Sequence, residues 1–408
     1  MGEVEVPLDS IVGLICKLKR PEPSDGLSID LLASFDQLRE LASEWDDLAA
    51  SVPSHSAAHT FVWASTGWTI RQPSDSLCCV IVRQHGRLVC VWPFLVRPRG
   101  RLRVLEPLGS GGNEEYGGPL LAADAPAEPV IRLAWAAMRR RADAAFLYNL
   151  EPDSRLEQEL LAPPAIFSRV KVPDLFISFK AAVAWEDFAA TRSRKLMSDL
   201  RRQNKRLRGL GRLEFGPVDD PDRVAAGVEW MLLHKRRWMD ATGRPGDWIR
   251  SKGCQDFLTR AAMEAAGHTR AGVGAPRLFL LTLDRQPIAA GYALVNPSVF
   301  EFYITAYDAA LENYSPGKVL LEHLTRWAFD RGLAFDFRVV TVPYKEQWAN
   351  AGAWRSTLVI ATTTRGFPLV AAAWTRNKVM SAREALGQAV RRATGQSFRE
   401  LLHRRRGG

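Results

Sequence analysis

The chain has 408 residues, of which 47% are hydrophobic and 25% charged, with a net charge of +10. That length leaves room for two or three domains with sizeable cores, and the balance excludes collagen-like, disordered and disulfide-scaffold classes. No run of 18 apolar residues occurs, which excludes a membrane-spanning helix as an expectation.

Residues 1–26 read as a flexible leader that ends in the turn-rich KRPEPSDG. Its apolar stretch IVGLIC follows acids and is too short for a secretory signal. The five cysteines (Cys16, Cys78, Cys79, Cys90, Cys254) show no C-x-x-C spacing and no histidine at ligand distance, so no metal site is expected. They read as buried reduced thiols, which places the chain in a reducing cytoplasm.

The pattern of residues 27–168 returns over residues 169–366. Each half offers two apolar strands around a tight polar turn, LCCVIV/LVCVWPFLV in the first and RLFLLTL/IAAGYALV in the second. Each then offers a strand, a loop, an amphipathic helix and a strand. The strand–helix–strand step implies a parallel pair, and the hairpins imply antiparallel neighbours. The expected fold is α/β with mixed sheets, built from two tandem units. A segment at 367–408 follows, basic and helical, with Gly387 and Gly395 weakening it and Ser397 with Glu400 able to restart it as a capping box.

A basic helix opens the second half. Leu196, Leu200, Gln203, Leu207 and Leu210 form one stripe, and seven Arg and Lys residues between Arg194 and Arg208 cover the rest. The surplus charge favours an anionic partner, either a phosphate-rich ligand, anionic lipid or nucleic acid.

Candidate chemistry concentrates in the second half. In FEFYITAYD, alternation puts Phe300, Phe302, Ile304 and Ala306 on one face and Glu301, Tyr303, Thr305 and Tyr307 on the other. Glu301 is a candidate general base, with His234 as its backup, and the tyrosines are positioning groups. The loop ENYSPGK leads into a helix whose free amides suit an anion, with Gly317 permitting close approach and Lys318 adding charge. In the Gly-rich loop 109–118, Glu114, Glu115 and Tyr116 are candidate acceptors for a cleft between the units.

The stretches YSPGKVLLEHLTRWAFDRGLAFDF and PYKEQW, in order with HTFVWASTGW, RSRKLMSDLRRQNKRL and HKRRW, resemble the CelD- and FemAB-related acyltransferases of the GNAT superfamily. The likeness spans about residues 28–365. It implies two GNAT-like acyltransferase domains in tandem, with an acyl-CoA site in the second. It also implies transfer of an acyl group from acyl-CoA to an amine, a long-chain amino-lipid such as a sphingoid base being one candidate. Alternatives within the resemblance are O-acetylation of an envelope glycan and tRNA-dependent aminoacyl transfer; outside it stands an RNA-binding module. Tyr314, Ser315, Gly317 and Lys318 match the loop that would meet the donor's pyrophosphate. Tyr344 and Lys345, with Tyr303, would line the acceptor side. Asp336, Tyr344, Lys345 and Trp348 match the family's late motif, whereas Val340, Thr341 and Val342 replace its Gly-Asp-Glu and make the wall more apolar. The resulting picture is a cytoplasmic enzyme, or one resting peripherally on the anionic inner face of the membrane.

Overall fold

The structure, a computed structural model, describes residues 26–112, 115–267, 272–339 and 342–394. Its strands are β1 (Leu27–Leu32), β2 (Ser76–Gln84), β3 (Arg87–Arg99), β4 (Leu102–Pro107), β5 (Leu120–Leu121), β6 (Ala144–Leu150) and β7 (Ile166–Ile177). They continue with β8 (Leu213–Val218), β9 (Ala275–Leu283), β10 (Gln286–Val295), β11 (Val299–Tyr307), β12 (Ala334–Val339) and β13 (Ala351–Ala361).

Both hairpins form as the turn chemistry requires. His85 and Gly86 (φ 49° and 83°) join β2 to β3, and Asp284 and Arg285 (φ 48° and 69°) join β9 to β10. Two consecutive left-handed residues match the right-handed twist of the strands they connect. The parallel pairs fall where the strand–helix–strand steps place them. β4 pairs with β6, and β11 with β12.

All the strands join one mixed sheet in the order β1-β2-β3-β4-β6-β13-β7-β12-β11-β10-β9-β8, with β5 against β3. The last strand in sequence, β13, lies between β6 of the first half and β7, pairing with both. The two units therefore share a seam made by β13 and β7.

Three large cores pack on this sheet. One fills the first half around Trp45, Trp92 and Phe94. In the second half, Phe279, Phe300, Phe335 and Phe337 lie on one face with residues of the helices Arg194–Arg208 and Pro316–Phe329. On the opposite face Phe257, Tyr292 and Tyr303 pack with residues of the helices Pro221–Thr242 and Lys252–Gly267. Trp63, Ala57 and Ala58 from the first half insert into this third core, with Trp63 edge-on to Phe257 at 4.6 Å.

Two expectations are corrected. First, β11 does not alternate evenly. Tyr292 opposes Ile304 and Ala293 opposes Phe302, which leaves Tyr303 as a one-residue bulge. The bulge flips the faces beyond it. Ile304 and Ala306 join Tyr303 in the third core, while Tyr307 turns to the other face and packs on Gly317. The row Glu301–Tyr307 is thus two pairs on opposite faces. Second, Leu210 is 45% exposed, because the basic helix ends at Arg208 with Gly209 as its cap. The helix Phe367–Thr394 tolerates Gly387 in its interior. The leader, Glu114, Val340, Thr341 and the restart at Ser397 lie outside the described residues. Among the described residues no helix is long and apolar enough to cross a membrane.

Phe335 is fully buried, with the rings of Phe300 and Phe337 at 5.0 and 4.9 Å. Phe335→Ala is expected to lower stability by about 3–5 kcal/mol in urea unfolding, because the rigid neighbours leave a cavity. A loss below about 1 kcal/mol would contradict this packing.

Candidate functional site

Strand β12 reads Ala-Phe-Asp-Phe-Arg-Val. Its alternation sends Phe335 and Phe337 into the aromatic core and Asp336 to the opposite face. Arg338 sits at φ 59°, where the register against β7 slips between Asp336 and Val339. That kink aims the guanidinium at Glu301 on the neighbouring strand.

The result is a buried charge cluster at the centre of the sheet. Arg338 Nη1 donates to Glu301 Oε2, both side chains being almost fully buried. Glu301 Oε1 accepts from Asn296 Nδ2 at 2.6 Å. The Tyr116 hydroxyl donates to Asp336 Oδ2 at 2.5 Å and lies 3.3 Å from Asp174 Oδ2. Arg355 Nε donates to that same Asp174 oxygen at 2.8 Å. The Tyr116 ring lies between the guanidiniums of Arg338 and Arg355, 4.7 and 4.5 Å from its centroid. Thus β7, β11, β12 and β13 supply the charges, and a loop of the first half supplies the ring that organises them.

The cluster holds three carboxylates and two guanidiniums. Burying the surplus negative charge is costly, and one carboxyl answers by keeping its proton. Asp336 is pushed up to about 7, first by burial, then by the charges of Asp174 and Glu301. Two histidines close the site from the first half. His59 Nε2 donates to the Tyr116 carbonyl at 2.9 Å, and burial lowers the ring to about 4, which keeps it neutral. His55 bridges the Val52 carbonyl and the Gly274 amide, and burial lowers its pKa too. Beside them Glu115 accepts from Ser110, whose hydroxyl meets the Tyr303 hydroxyl at 2.9 Å. A cleft of about 420 Å³ opens onto Glu301, Asp336, Tyr116 and Arg355, and extends to Pro119, Ile131 and Leu150 of the first half.

Of the residues expected from the sequence, the structure brings Glu301, Tyr303, Tyr116 and Asp336 into this cluster. Donors take both Glu301 oxygens and both Asp336 oxygens, Asp336 Oδ1 accepting from the Arg338 amide at 2.5 Å; what separates the two acids is that Glu301 faces the Arg338 guanidinium directly and neutralises it. The Lys345 ammonium donates to the carbonyls of Phe337, Arg338 and Val339, at 2.7, 3.4 and 3.3 Å, and caps the end of β12. Tyr344 packs at the edge of the aromatic core instead, its ring 6.5 Å from Phe337, and burial pushes its hydroxyl up to about 12. His234 stacks on Trp230 at 4.1 Å, lies 3.9 Å from Asp308 and is held low by burial. It stands at the far end of β11, outside the cluster.

Tyr314, Ser315, Gly317 and Lys318 form the entry to the helix Pro316–Phe329. Ser315 is left-handed (φ 51°), Gly317 lies flat against Tyr307, and Lys318 is exposed. Arg206 of the basic helix donates to the Asn313 carbonyl at 2.8 Å and covers the Tyr314 ring at 4.5 Å. Two cations and a helix N-terminus therefore converge here. β11 and β12 pair only over Val299–Glu301 and Ala334–Asp336, whereas β12 stays paired with β7 from Phe335 to Val339. The stretch of β11 beyond Glu301, which has no pairing to β12, leads directly to this loop. Among the described residues no group of three or more His, Cys, Asp or Glu side chains is arranged to hold a metal ion.

Sequence reasoning missed Arg338, Asp174, Arg355, Asn296, His55 and His59. A detectable signal existed for Arg338 and Asp336, which are charged residues inside an otherwise aromatic strand. The raised carboxyl also fixes a sign for stability. Asp336 has a folded-state pKa above its ordinary value of 3.8, so its contribution is full below about pH 4 and is lost as pH rises through about 7. Asp336→Asn removes that loss. Relative to wild type, the variant is expected to gain about 1–3 kcal/mol between pH 5 and pH 8 in denaturant unfolding. A difference that stays flat over this range would contradict the shared proton.

Residues 194–346 match the family model described as an acetyltransferase (GNAT) domain. No curated protein matches the chain. Among solved structures, FemX aligns with a TM-score of 0.52 at 11% identity, covering 78% of this chain and 95% of its own. The C-terminal domain of a protein from Agrobacterium fabrum, named as a lysylphosphatidylglycerol synthetase, aligns with a TM-score of 0.50 at 11% identity, covering 83% and 96%. A tandem GNAT protein from the clavulanic acid biosynthesis pathway aligns with a TM-score of 0.45 at 13% identity, covering 82% and 98%. These likenesses concern the fold. The chain thus carries a GNAT acetyltransferase domain at residues 194–346 and shares the fold of FemX over 78% of its length.

Proposed function

We propose that this protein transfers an acyl group from a thioester donor of the acyl-CoA type to an amine. The observation that carries the reading is the parting of β11 and β12 between a cationic helix entry and a proton-sharing carboxyl. The domain division expected from the sequence fits it, with a donor site in the second unit and a cover supplied by the first.

The residues at the helix entry fit a phosphate-bearing carrier. Gly317 has no side chain to block close approach, and a Cβ there would come within 3.0 Å of Tyr307. Gly317 lies in the first turn of the helix Pro316–Phe329, where the helix dipole favours an anion. Lys318 and Arg206 add charge. The gap between the strands would lead the acyl end towards the cluster.

Amine transfer needs a base. The nitrogen must lose a proton as it attacks the thioester carbon, and the departing sulfur must take one up. Asp336 suits both steps, because a carboxyl near 7 accepts and returns a proton at neutral pH. Glu301 would hold Arg338 in place, and Arg338 with Tyr116 would hold Asp336. His234, at the donor end, would support the loop through Tyr307 and Asp308 rather than act as the base.

Two outcomes are expected. Lys318→Ala combined with Gly317→Ala should weaken binding of acyl-CoA about tenfold in calorimetry, and unchanged affinity would reject the loop as the donor site. Asp336→Asn should lower kcat for thiol release at least about 100-fold with donor affinity kept, a typical size for losing an acid–base group. Wild-type kcat should rise with pH through about 7, and a variant that retains both rate and rise would remove Asp336 from the reaction.

A further inference from the structure

The cleft over the cluster carries a group that the transfer reaction does not use. Arg355 reaches from β13 to the cleft wall, with 25% of its side chain exposed. Its Nε is committed to Asp174 at 2.8 Å. Among the described residues its two terminal Nη atoms have no hydrogen-bond partner. Stacking on Tyr116 at 4.5 Å fixes the guanidinium plane, so these donors are held ready. A guanidinium pre-organised in this way pairs with a planar or tetrahedral oxyanion in preference to any neutral group.

Asp336 lies at the hydroxyl of the same tyrosine, and Arg355 over its ring face. One aromatic ring therefore spaces an anion-binding fork from the proton acceptor of the amine. Beyond them the cleft wall mixes Leu121, Ile131, Leu150 and Leu156 with Glu151, Ser154 and Arg155. A volume of about 420 Å³ is that of a small-molecule site.

We infer that the acceptor is a small amine carrying its own oxyanion, a carboxylate or phosphate, a few bonds from the nitrogen, with Arg355 holding the oxyanion while the nitrogen faces Asp336. This rests on the acyl-transfer reading above and adds the acceptor's chemical class to it. A neutral long-chain amine would leave the Arg355 fork unpaired in a half-buried cleft, which is a cost and not merely a missing contact.

The test compares matched acceptors on the full chain: leucine against leucinol, and ethanolamine phosphate against ethanolamine. The reading predicts that kcat/KM for thiol release from acyl-CoA is at least tenfold higher for the charged member of at least one pair. The pair that responds distinguishes carboxylate from phosphate. Arg355→Gln should erase the preference within the responding pair, and Arg355→Lys should restore part of it. Equal or better use of the neutral members by the wild type would overturn the inference and leave acyl transfer standing. Because Arg355 also pairs with Asp174, the substrate comparison needs no variant, so a poorly folding Arg355→Gln does not rescue the idea. Thermal shift supplies a readout independent of turnover. Stabilisation by the charged member alone, without thiol release from any amine, would keep the oxyanion site and reject the reaction, and absence of both would reject the site as well.

Discussion

Tyr116 lies between two arginines, and its hydroxyl holds a carboxyl that lacks a counter-charge. Much of the molecule is arranged to keep that ring in place. The loop that carries it comes from the first half, and the guanidiniums and carboxylates come from four strands at or beside the seam. Its carbonyl is held by His59, whose own segment is anchored through Ala57 to Asn296, the residue that also serves Glu301. Pulling the halves apart would strand three acids and two bases in the interior. A buried pair broken in this way is strongly destabilising, so the seam holds the halves together through charge as well as through strand pairing.

The sheet makes this possible by treating its two faces differently. On β11 and β12 one face carries Phe300, Phe335 and Phe337, packed against helices, and the other carries Glu301, Asp336 and Arg338. The aromatic face supplies rigidity. The charged face uses it to hold groups whose desolvation would otherwise be relieved by movement. Two local irregularities adjust the fit. The bulge at Tyr303 brings Tyr307 round to the donor loop, and the left-handed Arg338 closes the distance to Glu301. Irregular backbone of this kind costs free energy and persists only where its surroundings enforce it.

Much of the architecture was legible in the sequence. The hairpin turns at His85–Gly86 and Asp284–Arg285, the two strand–helix–strand steps and the basic helix all follow from local pattern. The seam did not. Pro173 argues against a central strand, and Ala351–Gly352–Ala353 has little strand character, yet these segments pair at the middle of the sheet. The site was half legible. Glu301 and Tyr116 stand out by type and setting, but the bond from Tyr116 to Asp336 spans 220 residues. A bulge that inverts two faces leaves no mark in a single sequence. Hence Glu301 looked like a free base when its partner was 37 residues away on the next strand.

The account stands on one shared proton among the buried acids. Its most direct test is a pH titration of the side-chain carboxyl carbons in protein isotopically labelled at aspartate, with Asp336→Asn identifying the signal. A midpoint near 7 for Asp336 is the predicted result. A midpoint near 4, the ordinary value for an aspartate, would mean that the cluster carries its charges unshared, and the proposed chemistry would lose its base.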